Sequence, residues 1–197
     1  MRACSRSPDG SGARAGRVEI RAAREADLAQ IAAIWNHEVL CTDATTDTEP
    51  RDEVAQREWL ARHTEPYPVI VAVSAADGAV SAADVVAYGA LSPYQPRPAF
   101  ARTVEDSVYV ERGRRGAGLG SLILSELIRR AGGLGHHSIL ARITAKNVAS
   151  LPCTRATAST RSASSTSPRS SSAAGTTSPS CSAVSIEPRR LHRRSAS

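Results

Sequence analysis

No apolar run in this 197-residue chain approaches the roughly 18–20 residues that a bilayer span needs, which predicts a soluble protein with no membrane partner. The first residues, Met1 to Gly16, hold Arg, Ser, Pro and Gly but no apolar segment, so they do not read as a secretory signal. They read as a disordered N-terminal extension over 1–17 or a misassigned start, and the cytoplasm is the default compartment. The four cysteines, Cys4, Cys41, Cys153 and Cys181, have no paired spacing and give neither a zinc pattern nor a disulfide framework. No metal is expected. There are no internal repeats.

A charge excess is also missing from most of the chain. The net charge is +6. Residues 1–150 carry 18 basic and 18 acidic side chains, whereas residues 151–197 carry seven Arg and one acid, Glu187. That tail has 14 Ser and no Phe, Trp, Tyr or Lys. A nucleic-acid partner would have to be held by the tail alone, without aromatic or motif support, so none is expected.

What remains is an alternation of periods. Arg17–Ala23 alternates as a short strand. Between Glu25 and Val39, residues Leu28, Ile31, Ile34 and Trp35 recur on one face at helical spacing. Pro50 opens a second helix running to about Arg62. Strands follow at Tyr67–Ser74, Val85–Leu91 and Arg102–Val110, with a polar turn over Ala76–Asp84 and a three-proline loop over Ser92–Phe100. Ser121–Ala131 is an amphipathic helix and Ser138–Ile143 a strand. The order β-α-α-β-β-β-α-β predicts an α/β fold. After Ser150 no period survives, and the tail reads as disordered.

The sharpest motif is Arg115-Gly116-Ala117-Gly118-Leu119-Gly120-Ser121, between a strand and a helix. Glycines let consecutive backbone N–H groups converge on an anion, and the helix N-terminus adds partial positive charge. That combination is a pyrophosphate cradle. No Gly-Lys-Ser/Thr is present, which excludes a P-loop, and no suitably placed downstream acid would hold a dinucleotide ribose.

This Arg-x-x-Gly-x-Gly pattern resembles the coenzyme A signature of GNAT acetyltransferases. Trp35-Asn36-His37-Glu38-Val39, Asp47-Thr48-Glu49-Pro50, Tyr67-Pro68-Val69, Arg97-Pro98-Ala99-Phe100 and Val104-Glu105-Asp106-Ser107-Val108-Tyr109-Val110 resemble the phosphinothricin acetyltransferase branch. So do Leu91-Ser92-Pro93 and Leu134-Gly135-His136-His137, and the likeness spans about 18–150. The resemblance implies a mixed central sheet flanked by helices and acetyl-CoA as co-substrate. It implies a small amine acceptor of the phosphinothricin or methionine sulfoximine type, and a homodimer. It implies that Glu105 is the catalytic carboxylate. Val108, Tyr109, Val110, Arg115, Gly116, Ala117, Gly118, Leu119, Gly120, Ser121 and Asn147 would bind acetyl-CoA. Asn36, His37 and Arg97 would meet the acceptor, Arg97 pairing with its acidic groups. The blander alternatives are a solvent-facing Glu105, a helix-end His37 and turn positions for His136 and His137. Tyr88 and Tyr94 are core or pocket residues, and Ala87 stands where the family usually has Gly.

The family pattern breaks after Ser150, where its closing helix and two strands are expected and are missing. Read one base earlier, codons compatible with the tail can spell Ala-Leu-His-Ala-Arg-x-Gly-Phe-x-Glu-Val-Gly, then Phe-Gly-Arg-Trp-x-Asp, then Leu-Gln. The order and spacing match the family's ending. The expectation is an incomplete acetyltransferase domain over 18–150 and an out-of-frame tail over 151–197. The alternative function is a catalytically impaired acyl-CoA-binding remnant.

Overall fold

The computed structural model describes residues 18–42, 44–45, 47–75, 83–144, 163–164 and 181–186. The elements, in chain order, are β1 (Val18–Ala22), α1 (Leu28–Cys41), α2 (Glu53–Arg62), β2 (Val69–Ala75), β3 (Ala83–Pro93), β4 (Thr103–Val110), α3 (Leu119–Gly133), β5 (Ser138–Thr144), β6 (Ala163–Ser164) and β7 (Cys181–Ile186). One sheet runs β1-β2-β3-β4-β5-β7-β6. Strands β1 to β4 are antiparallel neighbours, and β4 to β5 is a parallel step made through α3.

Each helix begins for a local reason. Asp27 closes the turn before α1 by accepting the Arg24 N–H at 2.8 Å and two bonds from Arg21 at 2.7 Å each. Pro50 does not open α2. Asp52 caps it instead, its Oδ1 accepting from the Ala55 N–H at 2.8 Å, because a carboxylate satisfies an orphan donor that proline cannot. Helix α3 starts at Leu119 rather than Ser121, so Gly120 lies inside its first turn.

The core divides across the sheet. On one face Ile123, Leu127 and Ile128 of α3 pack with Ile70, Leu91, Val104 and Ile139. On the other, Ile31, Ile34 and Trp35 of α1 pack with Val71, Val85 and Tyr88, with Trp59 of α2 alongside. Gly89 sets the α3 distance. A Cβ there would lie 2.5 Å from Ile123 Cγ2 and 2.9 Å from Leu127 Cδ1. Ala87, at the departure from the family's usual Gly, is fully buried in the same cluster.

Two sequence expectations are corrected. The tail contributes two strands, with β7 antiparallel on the edge of β5 from Ile139↔Ile186 to Thr144↔Cys181, and β6 outside it. Sheet pairing uses backbone groups that every residue but proline supplies, and Cys-Ser-Ala-Val-Ser-Ile includes β-branched Val184 and Ile186. Cys41, at the end of α1, is disulfide-bonded, although the spacing of the cysteines shows no pairing. The rest of 151–197, and the extension over 1–17, lie outside the described residues.

Candidate active site

The parallel ladder between β4 and β5 runs only from Thr103↔Ser138 to Asp106↔Ala141. Both strands continue beyond it, β4 to Val110 and β5 to Thr144, so the sheet opens after Asp106. The phase of β4 decides what faces the opening. The Glu111 N–H donates to the Val86 carbonyl at 2.9 Å, and the β3–β4 register is unbroken. Alternate residues of an antiparallel strand bond the same neighbour. Ser107 and Tyr109 therefore spend their backbone groups on β3, and those of Val108 and Val110 are turned toward the opening.

The glycine-rich loop lies at the end of this stretch. Gly116 and Gly118 have φ of 80° and 79°, a left-handed conformation that favours glycine, and nothing lies within 4 Å of a Cβ built on either. The loop surface is thus open rather than packed. Gly118 is the N-cap of the 15-residue α3 and no side chain caps it, which leaves the helix N-terminus facing the open loop as an anion site. Leu119 is buried under that turn, while Gly120 and Ser121 are half-buried within it and Ala117 is exposed. Arg115 is turned the other way. It pairs with Glu38 of α1, whose side chain is 3 % exposed, and its Nε lies 3.4 Å from the Val110 carbonyl.

The side chains of β4 alternate between the two faces. Val104, Val108 and Val110 pack toward α3, and Tyr109 packs with α1. Glu105 and Ser107 share the Tyr109 face. Glu105 accepts from Arg142 Nε at 2.5 Å and Nη2 at 2.6 Å, a bidentate pair across the point where the strands part. Opposite Glu105 on β3 is Ser92, whose Oγ is 3.1 Å from His63 Nε2. His63 Nδ1 is 2.6 Å from the Trp59 carbonyl, which requires the proton on Nδ1 and makes Nε2 the acceptor from Ser92. Burial lowers the His63 pKa, so the ring is neutral near pH 7. Asp106 is turned toward α3. Its Oδ1 is buried without a partner among the described residues, and burial raises the carboxyl to about 7.

Several sequence candidates occupy other surroundings. The Asn36 carboxamide exchanges two 2.8 Å bonds with the Arg51 backbone, which ties α1 to the start of α2. His37 is half-buried near the end of α1. Arg97 is exposed, at the N-cap of a single 3-10 turn. Burial raises the Tyr109 phenol, which bonds Thr45, and its ring packs edge-on to Trp35 at 5.1 Å. The Tyr109 backbone is thus spent on β3, and its side chain belongs to the opposite face from Val108. His136 is buried, its Nε2 2.8 Å from the Pro66 carbonyl. Asn147 lies outside the described residues. Sequence reasoning missed Arg51, His63 and Arg142. Among the described residues no group of three His, Cys, Asp or Glu is placed to hold a metal.

The antiparallel meander, the parallel pair that opens after Asp106 and the glycine-rich start of α3 are together those of an acyltransferase. Residues 31–156 match the acetyltransferase (GNAT) family. The chain belongs to that family. It is 36% identical over 135 residues to the phosphinothricin N-acetyltransferase of Streptomyces coelicolor, a match covering 68% of this chain and 76% of that one. It is 38% identical over 135 residues to the L-methionine sulfoximine/L-methionine sulfone acetyltransferase of Pseudomonas aeruginosa, covering 68% and 75% respectively. An acetyltransferase structure from Salmonella typhimurium, solved with its cofactor acetyl-CoA, superposes with a TM-score of 0.72 at 28% identity, covering 92% of this chain and all of that one.

Proposed function

We propose that the protein transfers the acetyl group of acetyl-CoA to the amino group of a small amino-acid-like acceptor, of the phosphinothricin or methionine sulfoximine type. The observation that carries this is the sheet opening after Asp106, with the backbone of Val108 and Val110 directed into it and the uncapped start of α3 beside it. The named activities of the relatives support the same reading.

Acetyl-CoA supplies a thioester carbonyl and a thiolate leaving group. Gly116, Gly118, Leu119, Gly120 and Ser121 suit its pyrophosphate, because the loop is open and the first-turn N–H groups converge there. The Val108 N–H, turned toward the opening, polarises the thioester carbonyl in this reading. Ala117 and Val110 flank that path, and Asn147 is assigned to it by resemblance. Arg115 serves by holding the loop against Glu38 of α1. Glu105 takes the ammonium proton directly or through water, and for this it must share its carboxylate with Arg142. Asn36 shapes the acceptor side through Arg51, His37 lines it, and Arg97 stands at its rim for an acidic group of the acceptor.

Residues 18–150 form the acetyltransferase domain, and 151–197 are read as out of frame. In support, the family match ends at 156 and about a quarter of the curated relatives' length is unmatched. A cytoplasmic enzyme and a homodimer complete the reading. Thiol release from acetyl-CoA with L-methionine sulfoximine, with mass detection of the N-acetyl product, tests it in two chains. The frame-restored chain should acetylate and the 197-residue chain should be much slower. No transfer by the restored chain overturns the function, and full activity of the 197-residue chain overturns the reading of the tail.

A further inference from the structure

The face of the sheet covered by α1 and α2 carries a half-buried cation that the family resemblance assigns to nothing. The Arg51 guanidinium carbon lies 4.1 Å from the Trp35 ring centroid and 5.1 Å from that of Trp59. Its backbone is fixed by both carboxamide atoms of Asn36. Its side chain is 20% exposed, and the carboxylate beside it, the exposed Asp47, is 4.0 Å away. Nη1 is buried and has no hydrogen-bond partner among the described residues. Burial works against this charge and lowers the pKa of Arg51.

More donors are buried on the same face. Trp35 Nε1, the Tyr88 hydroxyl and Gln56 Nε2 also lack partners among the described residues, and Gln56 shares a helix face with Trp59. Tyr88 is 6.1 Å from Trp59 and 5.3 Å from Tyr109, and Tyr109 is 5.1 Å from Trp35, so the rings close around the guanidinium. A planar cation with a fixed fork of donors, walled by aromatic rings, matches the two oxygens of a carboxylate. The site shares its face of the sheet with Ser107 and Glu105 of β4.

We propose that Arg51, clamped between Trp35 and Trp59, binds the carboxylate of the amino-acid acceptor and selects acceptors that carry one. This rests on the acetyltransferase reading above. It leaves Arg97, exposed at the rim, for a second acidic group.

Trp35 and Trp59 are the only tryptophans of the chain, so intrinsic fluorescence reports the site without any need for turnover. The full 197-residue chain is titrated with L-methionine sulfoximine and with its carboxamide. The wild type should show a saturable change and bind the acid at least about 10-fold more tightly than the amide. Arg51→Gln should weaken the acid on the order of 10- to 100-fold, down to the level of the amide, without moving the amide. Arg51→Lys, which keeps the charge but loses the fork, should fall between them. The proposal is overturned by a wild type that does not bind the acid or does not discriminate. It is equally overturned by an Arg51→Gln chain, folded by circular dichroism, that keeps full affinity for the acid or loses both ligands equally. Selective binding with no thiol release in the frame-restored chain would instead retain Arg51 and defeat the transferase reading.

Discussion

The two faces of the sheet are packed to different ends. Toward α3 the contacts are apolar and close, and Gly89 is there because Ile123 would meet a Cβ at 2.5 Å. Toward α1 and α2 aliphatic and aromatic side chains pack together, and several polar atoms have no partner among the described residues. Of the six such buried side-chain atoms among the described residues, five belong to Trp35, Arg51, Gln56 and Tyr88. Native interiors pair nearly all their buried polar groups, so a cluster of exceptions marks a place arranged for something other than stability. The comparison teaches that the body of α3 is packed as a scaffold, with its open N-terminus left for acetyl-CoA, while the α1–α2 face holds the polar groups proposed to meet the acceptor. β4 serves both, because successive residues point to opposite sides.

The largest test of that division is Gly89→Val. Its branched side chain would enter space already held by Ile123 and Leu127, and it should cost about 3 kcal/mol in denaturant unfolding. A near-neutral result would mean that α3 can move away and is not the rigid side.

Asp106 is the one exception on the scaffold face, and it sharpens the contrast through pH. Its folded pKa is raised to about 7 from an ordinary 3.8, chiefly by burial. The folded state therefore holds the proton more tightly than the unfolded chain. Its stabilising contribution is complete below about pH 4 and is lost as the pH rises through 7. Asp106→Asn should remove that slope and raise stability at pH 8 by roughly 2 kcal/mol, with little change at pH 4. Equal effects at both pH values would show that the carboxyl is not titrating there.

The smallest effect on stability belongs to Tyr88→Phe. Removing a hydroxyl that is buried without a partner among the described residues should change unfolding by less than about 1 kcal/mol, with either sign. If the hydroxyl serves the acceptor, the same change should raise KM for the acceptor and leave KM for acetyl-CoA alone. A large loss of stability would return Tyr88 to the core and blur the distinction between the faces.

The sequence made parts of this legible and hid others for physical reasons. Leu28, Ile31, Ile34 and Trp35 repeat with the helical period, so α1 could be read directly, and Gly116 and Gly118 before an apolar helix disclosed the loop. Glu105 could be placed on its strand, but its partner Arg142 lies 37 residues on, and only the parallel register brings them together. Arg51 is one of 24 arginines and has no local signature. Its meaning comes from the packing of α1 on α2, which brings Trp35 and Trp59 to either side of it. Strand β7 was hidden in a Ser-rich segment without an extended period, because its place depends on the edge that β5 offers.

Amide hydrogen exchange on the full chain, measured separately with acetyl-CoA and with L-methionine sulfoximine, tests the division most directly. Acetyl-CoA should protect the stretch from Val108 to Leu122, and methionine sulfoximine should protect the ends of α1 and α2 around Asn36, Arg51 and Trp59. Protection of one common segment by both ligands, or protection by methionine sulfoximine confined to α3, would contradict the assignment of the two faces.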